Sequence, residues 1–109
     1  MSEKELEKKF KDMVRKEGGC AYKFVSPGTS GVPDRLVVLP GGKIGFVELK
    51  APGKKSRPEQ CYQQRKLENL GCYVAVVDNL EMAEQVIKEI KEYSTDDVFL
   101  DILEAGGLI

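Results

Sequence analysis

The run Arg35-Leu36-Val37-Val38-Leu39-Pro40-Gly41-Gly42-Lys43-Ile44-Gly45-Phe46-Val47-Glu48-Leu49-Lys50 decides the fold. Arg35 to Leu39 is an apolar run of strand length, Pro40-Gly41-Gly42 is a turn, and Lys43 to Lys50 is a second strand returning from it. The pair predicts an antiparallel hairpin. In the returning strand Ile44, Phe46, Glu48 and Lys50 share one face by the two-residue period. Antiparallel pairing sets the start of the first strand beside the end of the second, so Asp34 is expected opposite Glu48 to Lys50.

On the N-terminal side, Ser2 and Glu5 form a capping box. Leu6, Phe10, Met13 and Val14 then make one apolar stripe, and Gly18-Gly19 ends this helix. Ala21 to Val25 reads as a short strand and Ser26 to Gly31 as a loop. On the C-terminal side, Ala51 to Arg57 is a basic loop. Ser56 and Glu59 predict a second capped helix, with Pro58 in its first turn, running to about Leu70 and stopping at Gly71. Tyr73 to Val77 is uncharged and β-prone, which predicts a central, buried strand. Asp78 and Glu81 resemble a third cap, and Ala83, Val86, Ile87 and Ile90 form the buried stripe of a helix ending near Tyr93. Asp96 to Glu104 suits a short amphipathic helix. The order α-β-β-β-α-β-α implies an α/β sandwich around a mixed four-stranded sheet.

The chain has 109 residues, which fits a single domain 1–109 with its core at about 6–93 and a C-terminal extension 94–109. No apolar stretch has the roughly 20 residues of a membrane-spanning helix, and the charged start is not a secretory signal. Cys20, Cys61 and Cys72 are odd in number and form no CxxC pair; free thiols and a cytoplasmic setting are expected. With no histidine and too few clustered thiols, a zinc site is not expected. The net charge is only −1, yet residues 1–78 carry a balance of +5 and residues 79–109 a balance of −6. A basic surface that attracts phosphates is compatible with a separate acidic tail.

The informative constellation is Gly31-Val32-Pro33-Asp34 followed by Glu48-Leu49-Lys50. E-x-K occurs three times in the chain, but only Glu48-Leu49-Lys50 lies on a predicted strand in an apolar setting. Two carboxylates with waters suit Mg²⁺, with Mn²⁺ as a substitute, and the main-chain carbonyl of Leu49 would add an oxygen. Such a cation acidifies water and neutralises phosphate charge, while a lysine stabilises the pentacovalent transition state. The competing interpretation is an ordinary ion pair at a sheet end.

Gly31-Val32-Pro33-Asp34-Arg35, then Phe46-Val47-Glu48-Leu49-Lys50-Ala51-Pro52-Gly53, then Gln60, resembles the VRR-NUC domain, a branch of the PD-(D/E)xK nuclease superfamily. The resemblance spans about Leu6 to Asp78, and the small size looks like the stand-alone phage and bacterial members. It implies a restriction-endonuclease-like sandwich with an α-β-β-β-α-β core. Asp34 and Glu48 would be metal ligands and Lys50 the catalytic lysine. A first-helix glutamate, Glu7 with Glu3 as the weaker alternative, would bind metal or orient water. Gln60 would face the same site from the start of the second helix.

Lys54, Lys55 and Arg57 are expected to contact the DNA backbone beside the site, with Ser30 and Arg35 on the other flank. Tyr22, Phe24 and Phe46 are expected in the core, and Tyr62 either packs or stacks on a base. The resemblance implies phosphodiester hydrolysis of DNA, leaving 5′-phosphate and 3′-hydroxyl ends, by a homodimer acting on branched DNA such as four-way junctions. The 98–103 segment and the exposed part of the last helix are the candidate dimer surfaces. Three alternatives stand beside it: a catalytically silent DNA-binding module, a nuclease acting on single-stranded DNA or RNA, and an interaction protein working through its acidic tail.

Overall fold

The computed structural model describes residues 1–94 and Gly106. The elements are α1 (Glu3–Lys16), β1 (Cys20–Lys23), β2 (Arg35–Leu39), β3 (Lys43–Leu49), α2 (Pro58–Asn69), β4 (Tyr73–Val77) and α3 (Leu80–Glu92). The expected helix at 96–104 lies outside the described residues.

The sheet order is β1-β2-β3-β4. β1, β2 and β3 are antiparallel, and β4 runs parallel to β3. The parallel step requires a crossover, and α2 is that crossover. The hairpin register pairs Arg35 with Val47 and Leu39 with Lys43, so Asp34 comes level with Glu48.

The core lies on one face of the sheet. Leu6, Phe10 and Val14 of α1 meet Val37, Leu39, Val47 and Leu49 of the hairpin, Val77, and Ala83, Val86, Ile87 and Ile90 of α3. Gly45 lets α3 press onto β3, because a Cβ there would lie 2.7 Å from Ile90 Cδ1. Among the described residues the opposite face is covered by α2, whose single buried residue is Gln60. Phe24 and Phe46 are therefore half-buried and stack edge to face at 5.6 Å, and Tyr22 is exposed rather than in the core.

Three local expectations need correction. β4 is an edge strand, not a central one. Its apolar run reflects α2 and α3 packing near its two faces, not strand neighbours on both sides. The N-cap of α2 is Arg57 rather than Ser56, because the Gln60 side-chain carbonyl accepts the Arg57 N–H at 2.8 Å. The Ser56 hydroxyl instead accepts from Gln64 Nε2 at 3.0 Å. The N-cap of α3 is Asn79, whose Oδ1 accepts the Met82 N–H at 2.8 Å. Asp78 is left to accept the Gly53 N–H at 3.3 Å, which tethers the basic loop to the end of β4.

Candidate active site

Asp34 is held by backbone on both sides. Its carbonyl accepts the Phe24 N–H at 2.8 Å, and its Oδ1 accepts the Leu49 N–H at 3.0 Å. In an extended strand the N–H and C=O of one residue point the same way, so the Leu49 carbonyl also faces the Asp34 flank. The preceding motif explains the placement. Pro33 is fully buried, and Gly31 has φ +89° with its α-carbon against the first turn of α2. A Cβ on Gly31 would stand 2.4 Å from the Glu59 carbonyl oxygen, so only glycine permits this approach.

Glu48 points away from the core, onto the α2 face, yet is only 5% exposed. Its Oε2 accepts from Gln60 Nε2 at 3.2 Å and lies 3.7 Å from Lys50 Nζ. Lys50 Nζ donates to Gln60 Oε1 at 2.7 Å. Gln60 thus presents its carbonyl to the lysine and its amide N–H to the glutamate, and both ends of its dipole are matched. Glu48 Oε1 is buried with no hydrogen-bond partner among the described residues.

These surroundings disfavour negative charge. Burial, with the Asp34 carboxylate beside it, pushes the Glu48 carboxyl up to about 7, against a smaller opposing pull from Lys50 and the Asp34 backbone amide. Asp34 is also raised, first by burial; the Leu49 N–H and the Arg35 charge oppose the rise. Glu3 raises both. A buried and a half-buried carboxylate that repel each other, one with an orphaned oxygen, are what a hard cation would stabilise. Among the described residues no third carboxylate, thiol or imidazole completes a metal cluster. Mg²⁺ commonly takes one or two carboxylates and keeps several waters, so the Asp34–Glu48 pair with the Leu49 carbonyl fits that donor set.

The remaining expected site residues divide. Glu7 is ion-paired with Arg35, and Arg35 Nη1 also donates to the Ala21 carbonyl at 3.4 Å. Arg35 is 5% exposed and shares the core side of β2 with Val37 and Leu39, so it ties α1 to the sheet and is not available to DNA. The charge that reaches Asp34 and Glu48 from α1 is that of Glu3. Ser30, Lys54, Lys55 and Arg57 are exposed; Arg57 also pairs with Glu59 at 3.2 Å. Reading by sequence missed that Arg57 donates its N–H to the same Gln60 oxygen as Lys50, and a glutamine three residues after a non-capping side chain is the signal that could have shown it.

No family model matches the chain. A relative from Acyrthosiphon pisum secondary endosymbiont phage 1, described as "Putative nuclease p44", is 54% identical over 81 residues, which is 74% of this chain and 87% of the relative. A solved structure described as "VRR_NUC domain" superposes with a TM-score of 0.71 at 35% identity, covering 84% of this chain and 97% of that one.

Proposed function

The chain belongs to the VRR-NUC family, and from that premise we propose that it is a divalent-metal-dependent endonuclease that hydrolyses DNA phosphodiester bonds. The observation that carries this reading is the mutually repelling pair of half-buried Asp34 and buried Glu48, with Glu48 Oε1 unpartnered among the described residues and the Lys50 ammonium beside it.

Asp34, Glu48 and the Leu49 carbonyl would hold Mg²⁺ or Mn²⁺. When bound, the cation acidifies water and neutralises phosphate charge. Lys50 supplies a cation to the charge that grows on phosphorus oxygens in the transition state. Gln60 holds the Lys50 ammonium and the Glu48 carboxylate in fixed relation, so neither swings out when substrate arrives. Attack by water on phosphorus, in line with cleavage of the P–O3′ bond, leaves a 5′-phosphate and a 3′-hydroxyl. Glu7 is engaged by Arg35, so of the two first-helix candidates Glu3 is the one without an ion pair among the described residues.

Exposed Lys54, Lys55 and Arg57, with Ser30 on the opposite loop, would contact the DNA backbone without reading bases. A preference for branched DNA, including four-way junctions, and a two-fold dimer that spaces two active sites belong to the same reading. Incubating the protein with linear, flapped and four-way DNA in Mg²⁺, Mn²⁺ or Ca²⁺, with Asp34→Ala as control, tests it. Cleavage in Mg²⁺ or Mn²⁺ that the control lacks is expected. A pure preparation that leaves every DNA intact in all three ions overturns it. Sedimentation equilibrium that finds only monomer at micromolar concentration removes the dimer.

A further inference from the structure

The two sides of α2 differ. Its inward side contributes Gln60 to the site, and no other residue of the helix is buried. Tyr62, two positions on and about 200° round the helix, faces solvent on the other flank and is 65% exposed. Tyr62, Arg65, Lys66, Asn69 and Leu70 fall at i, i+3, i+4, i+7 and i+8, and border a shallow cavity of about 320 Å³. Leu70 is 73% exposed, and neither Arg65 nor Lys66 forms an ion pair among the described residues.

An open aromatic ring beside two unpaired cations is complementary to a nucleic-acid strand, whose phosphates take the cations and whose unpaired base takes the ring. A second copy of the chain fits less well, because a two-fold contact would set this patch against itself and oppose like charges. The exposed basic residues Lys54, Lys55 and Arg57 lead directly into the same helix.

We propose that the outward face of α2 is a second nucleic-acid contact, with Tyr62 stacked on an unpaired base and Arg65 and Lys66 on the flanking phosphates. It deepens the nuclease reading and rests on it. A continuous duplex offers no free base face there, so the contact selects frayed, flapped or branched DNA.

The test is binding by fluorescence anisotropy in the non-cleaving Asp34→Ala protein, with single-stranded, flapped and blunt duplex DNA. Adding Tyr62→Ala is expected to weaken binding of the single strand and the flap by about 5- to 100-fold, the span of one base–aromatic stack, and to leave the duplex within about twofold. Tyr62→Phe is expected to keep full affinity. Arg65→Gln with Lys66→Gln should reduce the salt slope on single strands by about 1.4, two phosphates' worth. Equal affinities for Tyr62→Ala and its parent, or an equal loss on the blunt duplex, overturn the proposal while leaving the nuclease reading intact if the wild-type chain cleaves. Absence of both cleavage and binding on every DNA sinks the two together.

Discussion

Gln60 Nε2 donates to Glu48 Oε2 at 3.2 Å, and Gln60 is the one buried residue of its helix. The interaction is a contact between an element of the crossover and a strand of the hairpin. It closes through Lys50, which donates to the other end of the same amide at 2.7 Å.

Truncating that amide should damage the site more than the fold. Gln60→Ala leaves the Arg57 N–H and Lys50 Nζ without their shared acceptor, so a stability loss of about 1–3 kcal/mol is expected by chemical denaturation. DNA cleavage should fall about 10- to 100-fold, in kcat more than in KM, because a misplaced lysine loses stabilisation of the transition state. Cleavage equal to wild type would show that Lys50 is positioned without Gln60.

The Glu48 carboxyl makes the metal-free protein sensitive to pH in an unusual direction. Its folded value, about 7, lies above its ordinary 4.5, so the native state binds more protons than the unfolded chain between those values. Stability from this group is present below pH 4.5 and declines as pH rises through 7. The full shift corresponds to a loss of roughly 3 kcal/mol. Urea midpoints for metal-free protein should drop between pH 5.5 and 8. In Glu48→Gln the drop should flatten, and cleavage should vanish. A wild-type midpoint independent of pH across that window would refute the burial of charge at this position.

Lys50→Ala should separate binding from chemistry. The carboxylates remain, so Mn²⁺ binding measured by calorimetry is expected to stay within a few-fold. Turnover should fall about 100- to 1,000-fold, the usual cost of losing one electrostatic donor at a transition state. Parallel collapse of metal affinity and turnover would mean that Lys50 holds the carboxylates in place instead.

Glu3→Gln and Glu7→Gln should behave oppositely. Glu7→Gln removes the partner of the buried Arg35, so it lowers stability by about 1–2 kcal/mol with metal affinity unchanged. Glu3→Gln is expected to leave stability nearly constant and to change Mn²⁺ affinity only slightly, because the Glu3 charge is the smallest of the influences that raise both site carboxyls. Isothermal calorimetry and denaturation on both variants decide it; the reverse pattern would return Glu7 to the site.

Gly31→Ala should be more severe than its size suggests. The residue has φ +89°, and the added Cβ would meet Glu59 backbone at 2.4 Å. A cost of about 1–3 kcal/mol is expected from the backbone strain alone, with reduced cleavage as the loop carrying Asp34 lifts from α2. Unchanged thermal unfolding would show that the loop does not seat there.

The hairpin, the α-β-β-β-α-β order and the register that sets Asp34 level with Glu48 were legible in the chain, because turn residues and a two-residue period fix register locally. The glutamine of α2 was also legible as an inward-facing polar group. Tertiary structure decided everything that depends on which element covers which face. β4 reads as central yet lies at an edge, since an apolar run records covered faces and not the number of strand neighbours. Arg35 reads as a surface cation following Asp34, yet its side chain falls on the opposite face of β2 and pairs with α1. Strand alternation sends Asp34 and Arg35 to opposite sides, but only the packed helix shows which side is the interior. The same holds for Glu3 and Glu7, one helical turn apart: the sequence places both on one side of α1, and only the position of Arg35 in the fold decides that Glu7 is the one held in an ion pair.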